Sequence, residues 1–172
     1  MMNLFERIFV QSKVNEETAK DIMINICISI NAYVKQNSKF HDSLRIDSFL
    51  IDQDNKVSLL DENKSCKFLR RAPESIVDTD PVYDDKSVSF ELGIILFEMV
   101  TSAIPFQFAD SKDWWYSKLS NPDKKKLFWL AHNPNNKHKL SNELIDLIEC
   151  LLAKDPANRP SYHDIMEHPW FA

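Results

Sequence analysis

The feature that most constrains this chain is a run of apolar residues between Val88 and Val100. Nine of its thirteen residues are apolar, and they cover more than one face of a helix. A helix that is apolar nearly all round is buried on nearly all sides. The run is too short for the roughly 20 apolar residues that span a bilayer. We therefore expect a central helix around which the rest of the chain packs.

Composition favours one globular domain over residues 1–172, because a chain of 172 residues can bury a core of its own. The hydrophobic fraction of 44% and the charged fraction of 27% are ordinary for such a domain. The net charge of −5 argues against nucleic acid or an anionic membrane surface as the main partner. No signal peptide or membrane span is visible.

The cysteines and histidines favour neither a disulfide framework nor a metal site. Cys27, Cys66 and Cys150 are odd in number and far apart, and no CxxC pair exists. Reduced thiols indicate an intracellular protein, either cytoplasmic or cytoskeletal, and an organellar location stays open. The histidines have no ligand spacing in the sequence, so we expect no zinc. They are His41, His132, His138, His163 and His168.

Glycine excludes two kinds of nucleotide site. The chain has one glycine, Gly93, and it lies inside the predicted central helix. A loop that cradles phosphates needs several glycines so that its backbone can approach the phosphate oxygens. Neither a GxGxxG loop nor a P-loop can be built from this sequence.

The remaining pattern is mostly helical. Asn15 can cap a helix that runs to about Gln36, although its alternating isoleucines also fit a strand. Ser141 can cap a second amphipathic helix, and Ser161 with Asp164 fits a capping box that opens a final one. The sequence also predicts shorter elements, which are a helical segment at residues 3–11, a hairpin at 40–60, a short helix at 111–119 and a loop at 121–139.

Several short motifs in the middle of the chain resemble the C-terminal lobe of a protein kinase. They come in the family's order and spacing, and they are Ala72-Pro73-Glu74, Tyr83, the segment 90–99 and Pro105-Phe106. Residues 147–171 resemble the end of the calcium/calmodulin-dependent group of Ser/Thr kinases. The resemblance implies a mainly α fold with one or two short hairpins. It also places residue 1 just after the hinge between the lobes, so that the N-lobe is absent.

The residues that would carry phosphoryl transfer are degenerate under this resemblance. The catalytic loop corresponds to residues 41–48, with Ser43 in the place of the catalytic Asp and Ser48 in that of the magnesium-binding Asn. A serine hydroxyl is not basic at neutral pH, and general-base assistance is worth about 10²–10⁴-fold. A neutral hydroxyl is also a poor magnesium ligand. A register shifted by one residue would instead place Asp42 at the catalytic position.

Two more family positions are altered. Asp61 matches the metal-binding Asp of the family, but Glu62 and Asn63 replace the Phe and Gly that follow it. Asp61 is more simply a solvated or capping residue, since a lone carboxylate is a weak metal site. The Asp that braces the catalytic loop in the family falls at Val88, so we expect this brace to be lost.

The resemblance therefore implies a pseudokinase that is not an enzyme, needs no cofactor and does not bind ATP. We expect a structural or scaffold subunit of a protein assembly, which binds its partners through the surface that the N-lobe normally covers. Two alternatives are a split Ser/Thr kinase half that a partner completes, and a regulatory module of an active kinase. Candidate contact residues on that surface or in the polar regions are Phe5, Leu50, Leu59, Trp114, Trp115 and Trp129.

Glu74 and Arg159 match a structural ion pair of the family, which leads to a first prediction. If the pair is buried, Arg159→Ala leaves a buried carboxylate without its partner, at a cost of about 3–5 kcal/mol. We expect the melting temperature of the variant to fall clearly below that of the wild type. Melting within experimental error of the wild type would contradict the pairing.

Overall fold

The structure, a computed structural model, describes residues 2–11, 14–41, 43–60, 71–77 and 83–172. This part of the chain is mainly helical with one small sheet, so the predicted fold class is confirmed. The strands are β1 (Met2–Asn3), β2 (Phe49–Ile51) and β3 (Val57–Leu59). The helices are α1 (Leu4–Glu6), α2 (Glu16–Asn37), α3 (Glu74–Val77), α4 (Asp85–Thr101), α5 (Trp114–Leu119), α6 (Lys125–His132) and α7 (Asn142–Leu151).

Helix α4 is the predicted central helix. Asp84 caps it by accepting the N–H groups of Lys86 and Ser87, each at 3.0 Å. Every residue from Ser87 to Thr101 is buried. An apolar sequence on all sides of the helix has thus led to burial on all sides, as expected.

Helix α2 settles the ambiguity of the alternating isoleucines in favour of a helix. Asn15 Oδ1 accepts the Thr18 N–H at 2.8 Å, and the helix continues without interruption to Asn37. It ends at Ser38, whose φ of 55° places it in the left-handed region. Length decided the outcome, because 22 residues are far more than a typical strand contains.

The sheet has the order β1-β2-β3 and is antiparallel throughout. The predicted hairpin is present as β2 and β3, and β1 adds a strand from the start of the chain. Leu50 pairs with Ser58, whereas Leu59 pairs with Phe49. Paired residues share a face and neighbours along a strand alternate, so Leu50 and Leu59 lie on opposite faces. Leu59 packs against the core with Phe49, which corrects the expectation that both leucines approach the same outer surface.

Two local predictions were wrong because tertiary contacts outweighed sequence pattern. The predicted loop at 121–139 contains α6, whose Phe128 and Trp129 rings pack 5.6 and 5.9 Å from that of Phe97 in α4. The predicted last helix is replaced by two single 3₁₀ turns, Ile165–Glu167 and Pro169–Phe171. Ser161 accepts the N–H of His163, and the expected capping box does not form.

The C-terminal turns and the start of α7 meet at Glu16, in the first turn of α2. Its carboxylate accepts the Trp170 Nε1–H at 2.7 Å and the backbone N–H of Ser141 at 3.0 Å. Ser141 in turn caps α7 by accepting the Leu144 N–H. This junction pins the C-terminal turns against α2 and α7, and it gives a physical reason for their irregular path.

Gly93 provides a test of the packing between α4 and α7. A Cβ at this position would lie 2.8 Å from Leu151 Cβ and 2.9 Å from Leu152 Cδ2. Overpacking of this kind costs about 1–3 kcal/mol, against a gain of up to about 1 kcal/mol in helix propensity. We expect Gly93→Ala to lower the free energy of unfolding, measured with urea.

The matched control is Ser89→Ala, one turn earlier on the same buried helix. It removes a hydroxyl that donates to the Asp85 carbonyl at 3.0 Å, and no new atom enters the core. We expect its cost to stay near the roughly 1 kcal/mol of an ordinary hydrogen bond. If Gly93→Ala proves as stable as the wild type, α7 does not approach α4 so closely.

Candidate functional site

The candidate site is the loop between α2 and β2, which the resemblance compares with a catalytic loop. Leu44 and Ile46 are buried and hold the loop against the core. Residues Ile46–Ser48 form one 3₁₀ turn, and Ser48 Oγ accepts the Arg45 N–H at 3.1 Å. The hydroxyl of Ser48 therefore shapes the loop.

The charges of this loop neutralise each other. Arg45 Nε lies 2.9 Å from Asp47 Oδ1, and its Nη2 lies 3.3 Å from Oδ2. A two-point contact of this kind occupies both carboxylate oxygens. Asp47 is thus engaged with Arg45 and is poorly placed to accept a substrate proton.

Ser43 and Ser48, which the resemblance compares with the catalytic groups of the family, offer hydroxyl groups. The Ser43 carbonyl accepts from His41 Nδ1 at 2.8 Å, which fixes the backbone of Ser43. Neither hydroxyl can serve as a strong general base at neutral pH. Asp42 and Asp61, on which the alternative register and residual metal binding depend, lie outside the described residues.

A buried carboxylate from α4 supports the same loop. Glu91 is 1% exposed, and its Oε2 accepts the Leu44 N–H at 2.6 Å. The hydroxyl of Tyr83 donates to the same oxygen in a short hydrogen bond. Position 88 carries a valine, as the sequence shows, and a different residue of α4 places a carboxylate against the loop. No signal in the sequence pointed to Glu91, because the family resemblance assigns the acid to position 88.

Burial controls the protonation of this carboxylate. Desolvation raises the pKa of Glu91 to about 8, although hydrogen bonds from Tyr83 and Leu44 and the positive charges of Arg71 and Arg45 act to lower it. Desolvation together with the neighbouring Glu91 also raises the pKa of Tyr83. A glutamate that is protonated near neutral pH can stay buried without a full negative charge.

The expected pair of Glu74 and Arg159 is present. Arg159 Nη1 and Nη2 lie 2.6 and 2.8 Å from the two Glu74 carboxylate oxygens. The remaining guanidinium hydrogens go to backbone carbonyls of Ala153, Lys86 and Lys154. The Arg159 side chain is fully buried, with all five of its N–H groups satisfied. The Glu74 side chain is 30% exposed, so the expectation of a fully buried pair was wrong, and the cost of Arg159→Ala should lie below the value of about 3–5 kcal/mol for such a pair. This pair is structural, since it ties α3 to the chain beyond α7.

An apolar patch lies beside β1, and we call it the Phe5 patch. Phe5 is 43% exposed and stacks on Phe9 with ring centroids 4.7 Å apart. Val10 is 75% exposed, and Leu50 is partly exposed on the adjacent strand, where its backbone pairs with Asn3. These four apolar residues define the patch.

The three candidate tryptophans have different environments. The ring centroids of Trp115 and His132 lie 4.9 Å apart, and Trp129 Nε1–H donates to Glu149 Oε1 at 2.8 Å. Both tryptophans are therefore packing residues. Trp114 is 66% exposed, with Lys118 Nζ 3.8 Å from its ring centre. It borders an open groove of about 460 Å³. The other apolar residues of this groove are Ile76 and Phe108.

One cluster has the residue types of a metal site. Ligand atoms of Asp146, Cys150 and His168 lie within 4.8 Å of one another, although the sequence shows no ligand spacing. His168 Nδ1 accepts the Trp170 N–H at 3.2 Å, so in the neutral ring Nε2 carries the hydrogen and donates to Asp146 at 3.1 Å. The nitrogen that faces the cluster therefore has no free lone pair. Burial and Asp146 also raise the pKa of Cys150, which disfavours a thiolate.

Comparison with known proteins identifies the family. The family model described as "Protein kinase domain" matches residues 1–171. The chain belongs to the protein kinase family. Sperm motility kinase 3A of Mus musculus is 27% identical over 98% of the chain, and an Aurora kinase of Debaryomyces hansenii is 24% identical over 97%.

The kinase relatives are longer than this chain, which spans 33% of the sperm motility kinase and 41% of the Aurora kinase. The crystal structure of Rad53 1–466 in complex with AMP-PNP is similar to 99% of the present chain, and the aligned part is 44% of the Rad53 chain. The TM-score is 0.75 and the identity 22%, so this likeness concerns the fold. AMP-PNP is a ligand of that protein.

Within residues 2–11, 14–41, 43–60, 71–77 and 83–172, no helix combines the length and the apolar character needed to cross a bilayer.

Glu91 leads to a prediction for the pH dependence of this kinase-family chain. Because the pKa of Glu91 is about 8 in the folded chain against an ordinary 4.5, the folded state binds the proton over a range in which the unfolded state has lost it. The free energy of unfolding that Glu91 contributes therefore falls as pH rises between these two values, and it is constant above them.

The measurement is urea unfolding of the wild type and of Glu91→Gln at about pH 5, 7 and 9, with the stability difference between them as the readout. The glutamine keeps the acceptor and the shape but cannot titrate. We expect the wild type to lose stability relative to Glu91→Gln as pH rises. A difference that stays constant, or that moves the other way, would contradict the raised pKa.

Proposed function

We propose that this kinase-family chain is a catalytically inactive structural or scaffold subunit of a larger protein assembly. The observation that carries the proposal is the pair of serines at positions 43 and 48, where the family's chemistry needs a carboxylate and a magnesium ligand. Asp47, the acid next to Ser48, is held by Arg45 in a two-point ion pair. The described loop residues thus leave phosphoryl transfer without a base and without a metal ligand.

The Phe5 patch supports a role in binding other proteins. Exposed aromatic and aliphatic side chains that lie together mark interaction sites more often than ordinary surface. Phe5 and Phe9 present a stacked pair, which loses little side-chain entropy on binding because the rings already restrain each other. We propose this patch as the main contact with partner proteins, and the groove beside Trp114 as a second one.

We propose that the chain takes no cofactor, no ATP and no nucleic acid, and that its partners are proteins, in line with its net charge of −5. We propose an intracellular location, either cytoplasmic or cytoskeletal, because the three cysteines are odd in number and far apart in the sequence.

A kinase half completed by a partner is the second candidate. The observation that favours it is the bond from Leu44 N–H to Glu91, since an inactive loop has no catalytic need for such support. This candidate requires Asp42 or Asp61 to supply the missing carboxylate. It also requires a companion chain to bring the glycine-rich loop and the phosphate-binding lysine, because this chain has a single glycine.

Thermal unfolding with magnesium and ATP, measured on the chain alone and with candidate partner chains, separates the two candidates. Binding of ATP to the folded state would stabilise it and raise the melting temperature. We expect no such rise, and no phosphotransfer to a generic protein substrate. An active kinase under the same conditions is the positive control. Phosphotransfer that is abolished by Asp42→Asn or by Asp61→Asn would overturn inactivity in favour of the kinase half.

Purification of the tagged chain from its native cells tests the scaffold role. We expect a set of proteins to copurify in fixed ratio with the wild type and to be lost with Phe5→Glu, because the new charge would be desolvated at the contact. The control is Leu127→Glu, an exposed apolar residue of α6 outside the Phe5 patch and 53% exposed. If both variants keep the same proteins, the patch is not the contact. If a copurified kinase changes its activity on adding the chain, the regulatory alternative replaces the scaffold.

A further inference from the structure

A buried acid in the most apolar helix of the chain requires a physical explanation. Glu91 is 1% exposed in the middle of α4. Burying a carboxyl group costs several kcal/mol unless hydrogen bonds or charges offset the loss of water. An apolar side chain would avoid this cost, as Val88 does one turn earlier. The contacts of Glu91 therefore indicate what the acid does.

Those contacts join three separate segments. Leu44 N–H reaches Glu91 Oε2 at 2.6 Å from the loop after α2, and the Tyr83 hydroxyl reaches the same oxygen from the segment before α4. Leu44 is 3% exposed, and a buried backbone N–H without an acceptor is strongly disfavoured. Glu91 supplies that acceptor. The charged groups that face it from the described residues are Arg45 and Arg71.

The direction of helical side chains explains how position 91 serves a loop that lies toward the start of α4. Cα–Cβ bonds in a helix tilt toward the N-terminus, so a side chain covers the turn before its own Cα. Residues 88 and 91 are three apart and share a face. A glutamate at 91 can lean back over the turn that begins at Val88, and its extra methylene gives it the reach.

We propose that Glu91 is the positioning residue of the loop from Leu44 to Ser48, and that it replaces from one turn further along α4 the acid that position 88 lacks. Tyr83 completes the joint by fixing the segment before α4 to the same carboxylate oxygen. The loop thus keeps its conformation although Ser43 and Ser48 have replaced its catalytic groups. The inference goes beyond the proposed function, since the joint holds the loop whether or not a partner binds.

Amide hydrogen exchange at Leu44, followed by NMR, tests the proposal directly. In the wild type we expect the Leu44 amide to exchange far more slowly than the exposed Gln53 amide of the β2–β3 turn. In Glu91→Ala we expect Leu44 exchange to accelerate about tenfold or more, since a hydrogen bond to an ionisable carboxyl group is lost. The Leu147 amide in α7 reports global unfolding and should change much less.

Two controls separate a positioning role from a general loss of stability. Glu91→Gln retains an oxygen acceptor and should keep Leu44 protection within a few-fold of the wild type. Glu98→Ala removes the other buried glutamate of α4, seven residues further along. It should change the exchange rate of Leu44 by no more than it changes that of Leu147. Acceleration confined to Leu44 in Glu91→Ala alone supports the proposal.

A second-site variant tests the replacement itself. In the double variant Val88→Asp with Glu91→Ala, we expect the new carboxylate to restore slow exchange at Leu44. A folded double variant with an unprotected Leu44 would show that the two positions are not exchangeable. Leu44 exchange as fast as that of Gln53 in the wild type would overturn the proposal without any variant, so the test does not depend on whether Glu91→Ala folds. The exchange experiment can fail while the copurification test with Phe5→Glu succeeds, and the reverse also holds.

Discussion

The structure depends on the complete burial of α4. Every residue from Ser87 to Thr101 is enclosed, so α2, α6 and α7 must all pack against this one helix. Enclosure on all sides leaves no room for adjustment, which is why Gly93 meets α7 without space for a methyl group. It also means that any polar group inside α4 needs a partner supplied by another segment of the chain.

Two buried ionisable side chains organise the irregular segments around that helix. Glu91 binds the loop after α2 and Tyr83, while Arg159 binds Glu74 and three backbone carbonyls. Neither group adds much net stability, because desolvation offsets the attraction, but each makes the alternative arrangements costly. Loops that would otherwise vary are thereby fixed. This framework does not depend on which side chains stand at positions 43 and 48, since the supports of the loop come from other residues.

Regular elements were predictable where one pattern dominated. The apolar run of α4, the capped length of α2 and the stripe of α7 each led to the observed helix, and the hairpin followed from two short apolar runs with a polar turn. The pairing of Glu74 with Arg159 came from the family resemblance and matches the observed distances. The predictions failed in polar sequence. Helix α6 forms because Phe128 and Trp129 find Phe97, and the last turns follow the bond from Trp170 to Glu16.

The sequence by itself determined that the chain has a fully enclosed central helix, that it lacks a phosphate-binding glycine loop, and that hydroxyl groups stand at positions 43 and 48. These conclusions rest on residue identity and local periodicity, which need no knowledge of distant contacts. The tertiary structure decided which acid supports the loop, which face of the sheet Leu59 occupies, and which tryptophan remains exposed. Each of these depends on segments far apart in the chain, and the reach of a side chain across a helical turn cannot be read from the position it occupies in a motif.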